Sequence, residues 1–426
     1  MSEKNYRPET LALHAGQTVD PQTLSRAVPV YRTTAYNFKS AKHGANLFAL
    51  KEPGNIYSRL MNPTNDVLEK RIAALEGAPA ALTLASGTAA IAFTLTNILR
   101  AGDEFVAANN LYGGTYTQFD SILPQFGINV RWTPVNDFQA VRAAINEKTR
   151  AIYIETIGNP ALDIADIEAY SKIAKEFHLP LIVDATFTPP GTLKTIDYGA
   201  NIVIHSLSKW IGGHGTGIGG VVIDAGNFNW SDKKFALFNE PDGGYHGLRF
   251  AHDLGELNSL AFILRLRTVG LRNLGPTLSP DSAWIFLQGL QSLSLRINRH
   301  SENALEVAKF LSAHENVAWV RYPGLESDKS HHLAQKYLKN GCGGMVVFGA
   351  KNGYSHAERI VDTISLFSNL ANVGDSKSLI LHPASTSHSQ LSEEAQRACG
   401  ITPDLVRLSV GLEHIDDIKE ALNEVL

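Results

Sequence analysis

The feature that most restricts this chain is an alternation, from about residue 66 to 224, of short apolar runs with longer helical patterns. The runs at 80–84, 104–107, 129–132, 150–155, 181–183, 202–204 and 220–223 have the length of strands. Between them, 67–75, 89–99, 115–126, 138–145 and 167–178 carry helical spacing. Strands that alternate with helices mean βαβ units, a mostly parallel sheet and a three-layer α/β/α domain. Ligands of such sheets bind beyond the carboxyl ends of the strands. That rule singles out Ser86, the stretch from Asn109 to Tyr112, Asn159, Asp184 and the stretch from His205 to Lys209.

The rest of the chain is patterned differently. Pro8, Pro21, Pro29, Pro53 and Pro63 punctuate the first 65 residues, which supply too little periodic sequence for a core and read as an ordered extension. Residues 225–280 read as an irregular connection. A long helical pattern at 281–313 follows, then shorter elements at 317–322, 331–338, 345–348, 356–366, 405–410 and 415–426. These predict a second, smaller α/β domain with an antiparallel sheet. The expected division is 1–65, 66–270 and 271–426.

Several classes are disfavoured at once. Lys and Arg number 38 against 42 Asp and Glu, a net charge of −4, which argues against a basic nucleic-acid surface or a polybasic membrane face. The uncharged stretch 78–99 is long enough to span a bilayer, but Ser86-Gly87 breaks it, and strand, turn and helix explain it better. The N-terminal MSEKNYRPETLALHAG has no apolar segment of a secretory signal. The two cysteines, Cys342 and Cys399, lie far apart and fit a reducing cytoplasm.

The sharpest candidate for chemistry is the segment IVIHSLSKWIGGHGTGIGG at 202–220. An apolar strand ends in Ser206, Ser208 and Lys209, and a glycine-rich loop follows. Burial lowers the pKa of a lysine, which is what a covalent-catalysis lysine needs. Two neighbouring hydroxyls suit a phosphate. A snorkelling surface lysine is the plain alternative. The string GTGIGG at 215–220 matches a dinucleotide fingerprint only literally, because VVID after it is a strand and the fingerprint requires a helix.

Asp184 ends the apolar run LIVD, which delivers a carboxylate to the same edge. A buried carboxylate needs a cation such as a protonated pyridine nitrogen. A helix N-cap or a salt bridge to an arginine would also explain it. In Ala85-Ser-Gly-Thr-Ala-Ala90 the amides of Gly87 and Thr88 open a helix and suit a phosphate, with Ser86 as a simple N-cap the alternative. Tyr112, in LYGGT, places an aromatic ring at another strand–helix junction, to stack on a planar ligand or to cap the core. Each signal is weak alone. Four at one sheet edge are strong together. His382 and His388 read as structural, since no HExxH or Cys/His spacing marks a metal site.

These motifs carry a resemblance. HSLSKWIGGH, VDATFTPP, LYGGTY, YSRLMNP at 57–63 and VRLSVGLE together resemble the Cys/Met-metabolism pyridoxal-5′-phosphate (PLP) enzymes, over about residues 10–426. ANVGDSKSLILHPASTSH at 371–388, the chain length and the insert at 225–255 resemble the O-acetylhomoserine sulfhydrylases of that family. The resemblance implies the PLP-dependent fold type I, aspartate-aminotransferase-like, with a large three-layer domain and a smaller C-terminal α/β domain. It implies that Lys209 bonds the cofactor and moves the substrate's protons, Asp184 pairs with the ring nitrogen, Tyr112 stacks on the ring and Thr186 touches its other face. Gly87, Thr88, Ser206 and Ser208 would hold the phosphate, completed by Tyr57 and Arg59 from a neighbouring subunit. Arg407 would bind the substrate α-carboxylate with Asn159, and Asn372 and Tyr57 would also meet the substrate. A surface arginine on an amphipathic strand fits the pattern at Arg407 equally well.

The implied reaction is a PLP-dependent γ-replacement. O-acetyl-L-homoserine and sulfide, or a small thiol, give L-homocysteine and acetate in methionine biosynthesis. A cytoplasmic homotetramer built from dimers with shared sites is implied, with no nucleic-acid or membrane partner. A methionine γ-lyase or cystathionine γ-synthase on the same scaffold is the nearest rival. Gly114 stands where a methionine γ-lyase would carry cysteine, which weakens the first. A non-catalytic PLP-binding protein and a nucleotide-binding α/β protein are the rivals from other classes.

Overall fold

The computed structural model describes residues 6–387, 389, 393–398 and 400–426. His388 and Cys399 therefore lie outside the described residues, as do residues 1–5. Two sheets organise the rest.

The larger sheet holds β1 (Ala80–Leu84), β2 (Glu104–Ala108), β3 (Asn129–Thr133), β4 (Thr149–Glu155), β5 (Leu181–Asp184), β6 (Ile202–Ser206) and β7 (Gly220–Asp224), in the order β1-β7-β6-β5-β4-β2-β3. All neighbours are parallel except β7, which runs against both β1 and β6. Parallel strands need a long crossover, and between β6 and β7 there is only the short helical turn Leu207–Ile211 before the glycine-rich loop, so the chain reverses there.

The strands are continuously apolar because both faces of the sheet are covered. Val183 and Val203 point into one core, with Leu68 and Ile72 of the helix Pro63–Glu76. Ile182, Ile202 and Ile204 point into the other, with Ile91 and Leu95 of the helix Gly87–Ile98. Each such side chain contributes roughly 1.5–3 kcal/mol by leaving water. The stretch 78–99 is thus strand β1, a turn and the helix Gly87–Ile98, and among the described residues no helix is long and apolar enough to cross a membrane.

The connection expected at 225–280 is partly helical: from Ala261 to Leu274 the chain forms continuous helical turns. Ala261, Phe262, Ile263, Leu266 and Leu271 are buried in the same core as the helix Gly87–Ile98. The expected long helix breaks once, into Pro280–Gln291 and Leu293–Ala313. The N-terminal extension contains two short helices, Pro8–His14 and Ala41–Phe48, each lending a buried apolar residue, Ala12 or Leu47.

The second sheet holds β8 (Val317–Arg321), β9 (Met345–Ala350), β10 (Ser368–Asn369), β11 (Leu379–Leu381) and β12 (Leu405–Ser409), in the order β10-β11-β12-β9-β8. Only β10 and β11 pair in parallel; the other pairings are antiparallel. The C-terminal helix Ile415–Val425 covers it through Ile418 and Leu422.

Candidate active site

The carboxyl ends of β1, β2, β4, β5 and β6 lie along one edge of the large sheet, and the last residues of each strand open there into loops. β12 of the second sheet faces the same edge through Arg407. Between them is a cavity of about 420 Å³. Lys209, Asp184, Tyr112, Gly87, Thr88, Thr186, Ser206, Ser208, Arg407, Asn159 and Asn372 all line it. Tyr57 and Arg59 do not; both are exposed, with the guanidinium 5.4 Å from the tyrosine ring centre.

One end of the cavity is rich in donors. The Ser86 hydroxyl caps the helix Gly87–Ile98 by accepting from the Ala89 amide at 3.0 Å. The Gly87 and Thr88 amides have no acceptor among the described residues, so capping and anion binding are compatible here. A Cβ on Gly87 would stand 2.8 Å from that of Ser206, so glycine is what lets this helix start approach β6. The Ser208 hydroxyl is engaged by the Gly219 amide at 3.0 Å. The Thr186 hydroxyl accepts from the Ser206 amide at 2.9 Å, tying the ends of β5 and β6 together.

The other end is acidic and buried. Asp184 accepts the Thr186 amide at 2.9 Å and the Tyr153 hydroxyl at 3.4 Å. No arginine pairs with it among the described residues, and it caps no helix. Beside it Glu155 accepts the Tyr112 amide at 2.8 Å. Burial and the Asp184 charge push Glu155 well above the usual carboxylate range. Burial also raises Asp184, against the opposing effects of Thr186, His205 and Tyr153. The Tyr112 ring rests over Gly114, where a Cβ would fall 2.5 Å from its Cε1, so a cysteine at 114 would displace the ring.

Two cations line the same cavity. The Lys209 amine donates to Asn372 Oδ1 at 2.6 Å. Burial, with the Arg407 charge adding to it, pulls this ammonium down to about 8. Arg407 is 5% exposed on a strand buried throughout, which removes the surface-arginine explanation. Its guanidinium donates to Asn159 Oδ1 and to the Asn372 carbonyl, each at 3.2 Å, and has no carboxylate partner among the described residues. Burial draws it down to about 10. Ile91, Ile157, Phe187, Val373 and Leu381 form apolar walls.

Glu155 is the acidic lining residue that sequence reasoning missed, and Ser387 and the apolar wall residues were not singled out either. The signal of Glu155 was present: the run at 150–155 ends in an acid just as LIVD does. The bridging position of Asn372, side chain to Lys209 and carbonyl to Arg407, carries no sequence signal because it joins two sheets.

The chain is similar to known proteins over nearly its full length. The O-acetyl-L-homoserine sulfhydrylase of Leptospira meyeri is 53% identical, over 99% of this chain and 97% of its own. The O-acetyl-L-homoserine sulfhydrylase 1 of Thermus thermophilus is 53% identical, over 99% of this chain and all of its own. A Campylobacter jejuni crystal structure carrying a pyridoxyl-lysine-5′-monophosphate superimposes with a TM-score of 0.95, 43% identity and 99% coverage of both chains. The pattern that defines the Cys/Met metabolism PLP-dependent enzymes matches residues 9–426, and the chain belongs to that family.

Proposed function

We propose that this chain catalyses a γ-replacement in which O-acetyl-L-homoserine and sulfide become L-homocysteine and acetate, a step of methionine biosynthesis. The observation that carries the reading is one cavity lined by a half-buried lysine, a buried arginine with no carboxylate of its own among the described residues and a buried aspartate. The sulfhydrylase relatives at 53% identity support it.

The donor set fits pyridoxal 5′-phosphate. Free amides at Gly87 and Thr88 and the hydroxyls of Ser206 and Ser208 suit the phosphate. Asp184 suits a protonated ring nitrogen, Tyr112 and Thr186 the two ring faces, and Lys209 the aldehyde. When bound, the cofactor supplies an electron sink for the charge left on the substrate by proton removal.

The chain's own residues do the rest. Arg407 clamps the α-carboxylate with Asn159 and so fixes the Cα–H bond relative to Lys209. Asn372 orients the Lys209 amine between proton transfers. That amine takes the α proton as a general base, and its lowered pKa keeps a useful free-base fraction near neutral pH. Loss of a β proton expels acetate from Cγ, sulfide adds at the same carbon, and Lys209 returns the protons. Ile157, Phe187 and Val373 limit water, which would otherwise intercept the reaction. Incubating the holoenzyme with O-acetylhomoserine, with and without sulfide, tests the reading. Homocysteine should form only with sulfide. Rapid 2-oxobutanoate release without it would make the protein a lyase.

Tyr57 and Arg59 lie outside this chain's own cavity lining and stay exposed, which supports a role in a neighbouring subunit's site. The proposed assembly is a cytoplasmic homotetramer of dimers with shared sites. Inactive Lys209→Ala and Arg59→Ala chains, mixed and reassembled, should regain activity, because one site per mixed dimer then has both residues intact. No regain would place both residues in one subunit's site.

A further inference from the structure

Glu155 and Asp184 are paired residues at the ends of adjacent parallel strands, 7% and 8% exposed. Neither forms an ion pair among the described residues. The groups around them are few. Tyr153 of β4 donates to Asp184. His205 of β6, which acts on Asp184 electrostatically, is itself bonded at 2.7 Å to the buried Glu76. Lys209 and Arg407 line the same cavity, and Lys209 is held by Asn372, Arg407 by Asn159 and the Asn372 carbonyl. A protonated ring nitrogen adds one positive charge, and one charge cannot neutralise two buried carboxylates. Like charges this close do not both ionise in a dry site. The donors decide which acid keeps its proton. Asp184 receives an amide and a hydroxyl, whereas Glu155 receives only the Tyr112 amide.

We propose that Glu155 is a positioning residue, a neutral carboxylic acid that anchors the Tyr112 backbone and leaves Asp184 as the single negative charge facing the ring nitrogen. The inference rests on the assignment of Asp184 made under the proposed function. Tyr112 begins a short helix with no side-chain cap, so the Glu155 oxygen is what fixes its amide and aims its ring. Glutamine reproduces the shape and the accepting oxygen of a protonated glutamate.

Infrared spectra and kinetics of the holoenzyme test this together. The parent should show a protonated-carboxyl carbonyl band that disappears in Glu155→Gln and persists in Asp184→Asn. Glu155→Ala should lower kcat/KM by about tenfold, the scale of one lost hydrogen bond, and Glu155→Gln should restore most of it. A Gln variant as impaired as the Ala variant, or one with an unchanged carbonyl band, would show that Glu155 is ionised and overturn the proposal. An Ala variant as active as the parent would remove the positioning role. If instead Asp184→Asn keeps full activity while the Glu155 band behaves as expected, the fault lies with the Asp184 assignment.

Discussion

Replacing Lys209 with alanine is expected to abolish turnover and covalent cofactor capture while leaving the fold intact. The residue has two jobs in the proposed reaction: it bonds the cofactor aldehyde, and it moves the substrate's protons. Losing a positioned general base alone costs about 10²–10⁴-fold in rate, and the lost covalent link adds to that. Borohydride treatment of the parent holoprotein should leave a stable cofactor tag on the peptide containing residue 209. The alanine variant should stay untagged with an unchanged circular dichroism spectrum. Retained turnover would remove the residue from the mechanism. The pH dependence has a definite sign. Burial, helped by Arg407, brings the amine to about 8, so it is protonated below that value and free above it. Acylation of Lys209 in cofactor-free protein should therefore rise through about pH 8, well below the 10.5 of an ordinary lysine.

The strands of the large sheet were legible because burial on both faces leaves long apolar runs, and in the parallel strands β4, β5 and β6 the polar residue ending the run marks the functional edge, whereas Asp224 ends the reversed strand β7 at the opposite edge. Asp184 and Lys209 were found that way. Glu155 bears the same mark and was passed over, since a single acid after Ile154 is easily read as a surface residue. The helical turns from 261 to 274 were hidden by charge. Arg265 and Arg267 interrupt the apolar spacing, yet Arg265 is buried against Asn97, and Arg267 reaches Glu69 and the Leu60 carbonyl. Their partners are distant in sequence, so no local pattern could announce them. Arg407 was equally opaque on its own. Val406 and Leu408 around it alternate as on any half-exposed strand, and only packing of β12 between β9 and β11 shows that the guanidinium is inside. The resemblance to a known family, not periodicity, brought Arg407 and Asn372 forward, whereas Asn159 was marked by its place just after a strand.

Replacing Arg407 with methionine should separate function from stability. A buried guanidinium held only by neutral acceptors, Asn159 Oδ1 and the Asn372 carbonyl, is costly to the free protein. The depression of its pKa to about 10 by burial has the same origin. That cost is recovered when a carboxylate enters and completes the pair. Truncating one partner of such a buried, hydrogen-bonded charge pair typically costs about 2–5 kcal/mol. For O-acetylhomoserine this corresponds to a fall in kcat/KM of about 30- to 5000-fold. Lysine at 407 should not rescue it, because a point charge cannot reproduce the planar fork. Thermal stability of the substrate-free methionine variant should equal or exceed that of the parent, since an apolar side chain replaces an uncompensated buried charge. The control is 3-aminopropyl acetate, the same substrate without its carboxylate. If Arg407 binds that group, parent and variant should process the control at similar low rates. Equal losses on both compounds would mean that Arg407 shapes the cavity without contacting the carboxylate.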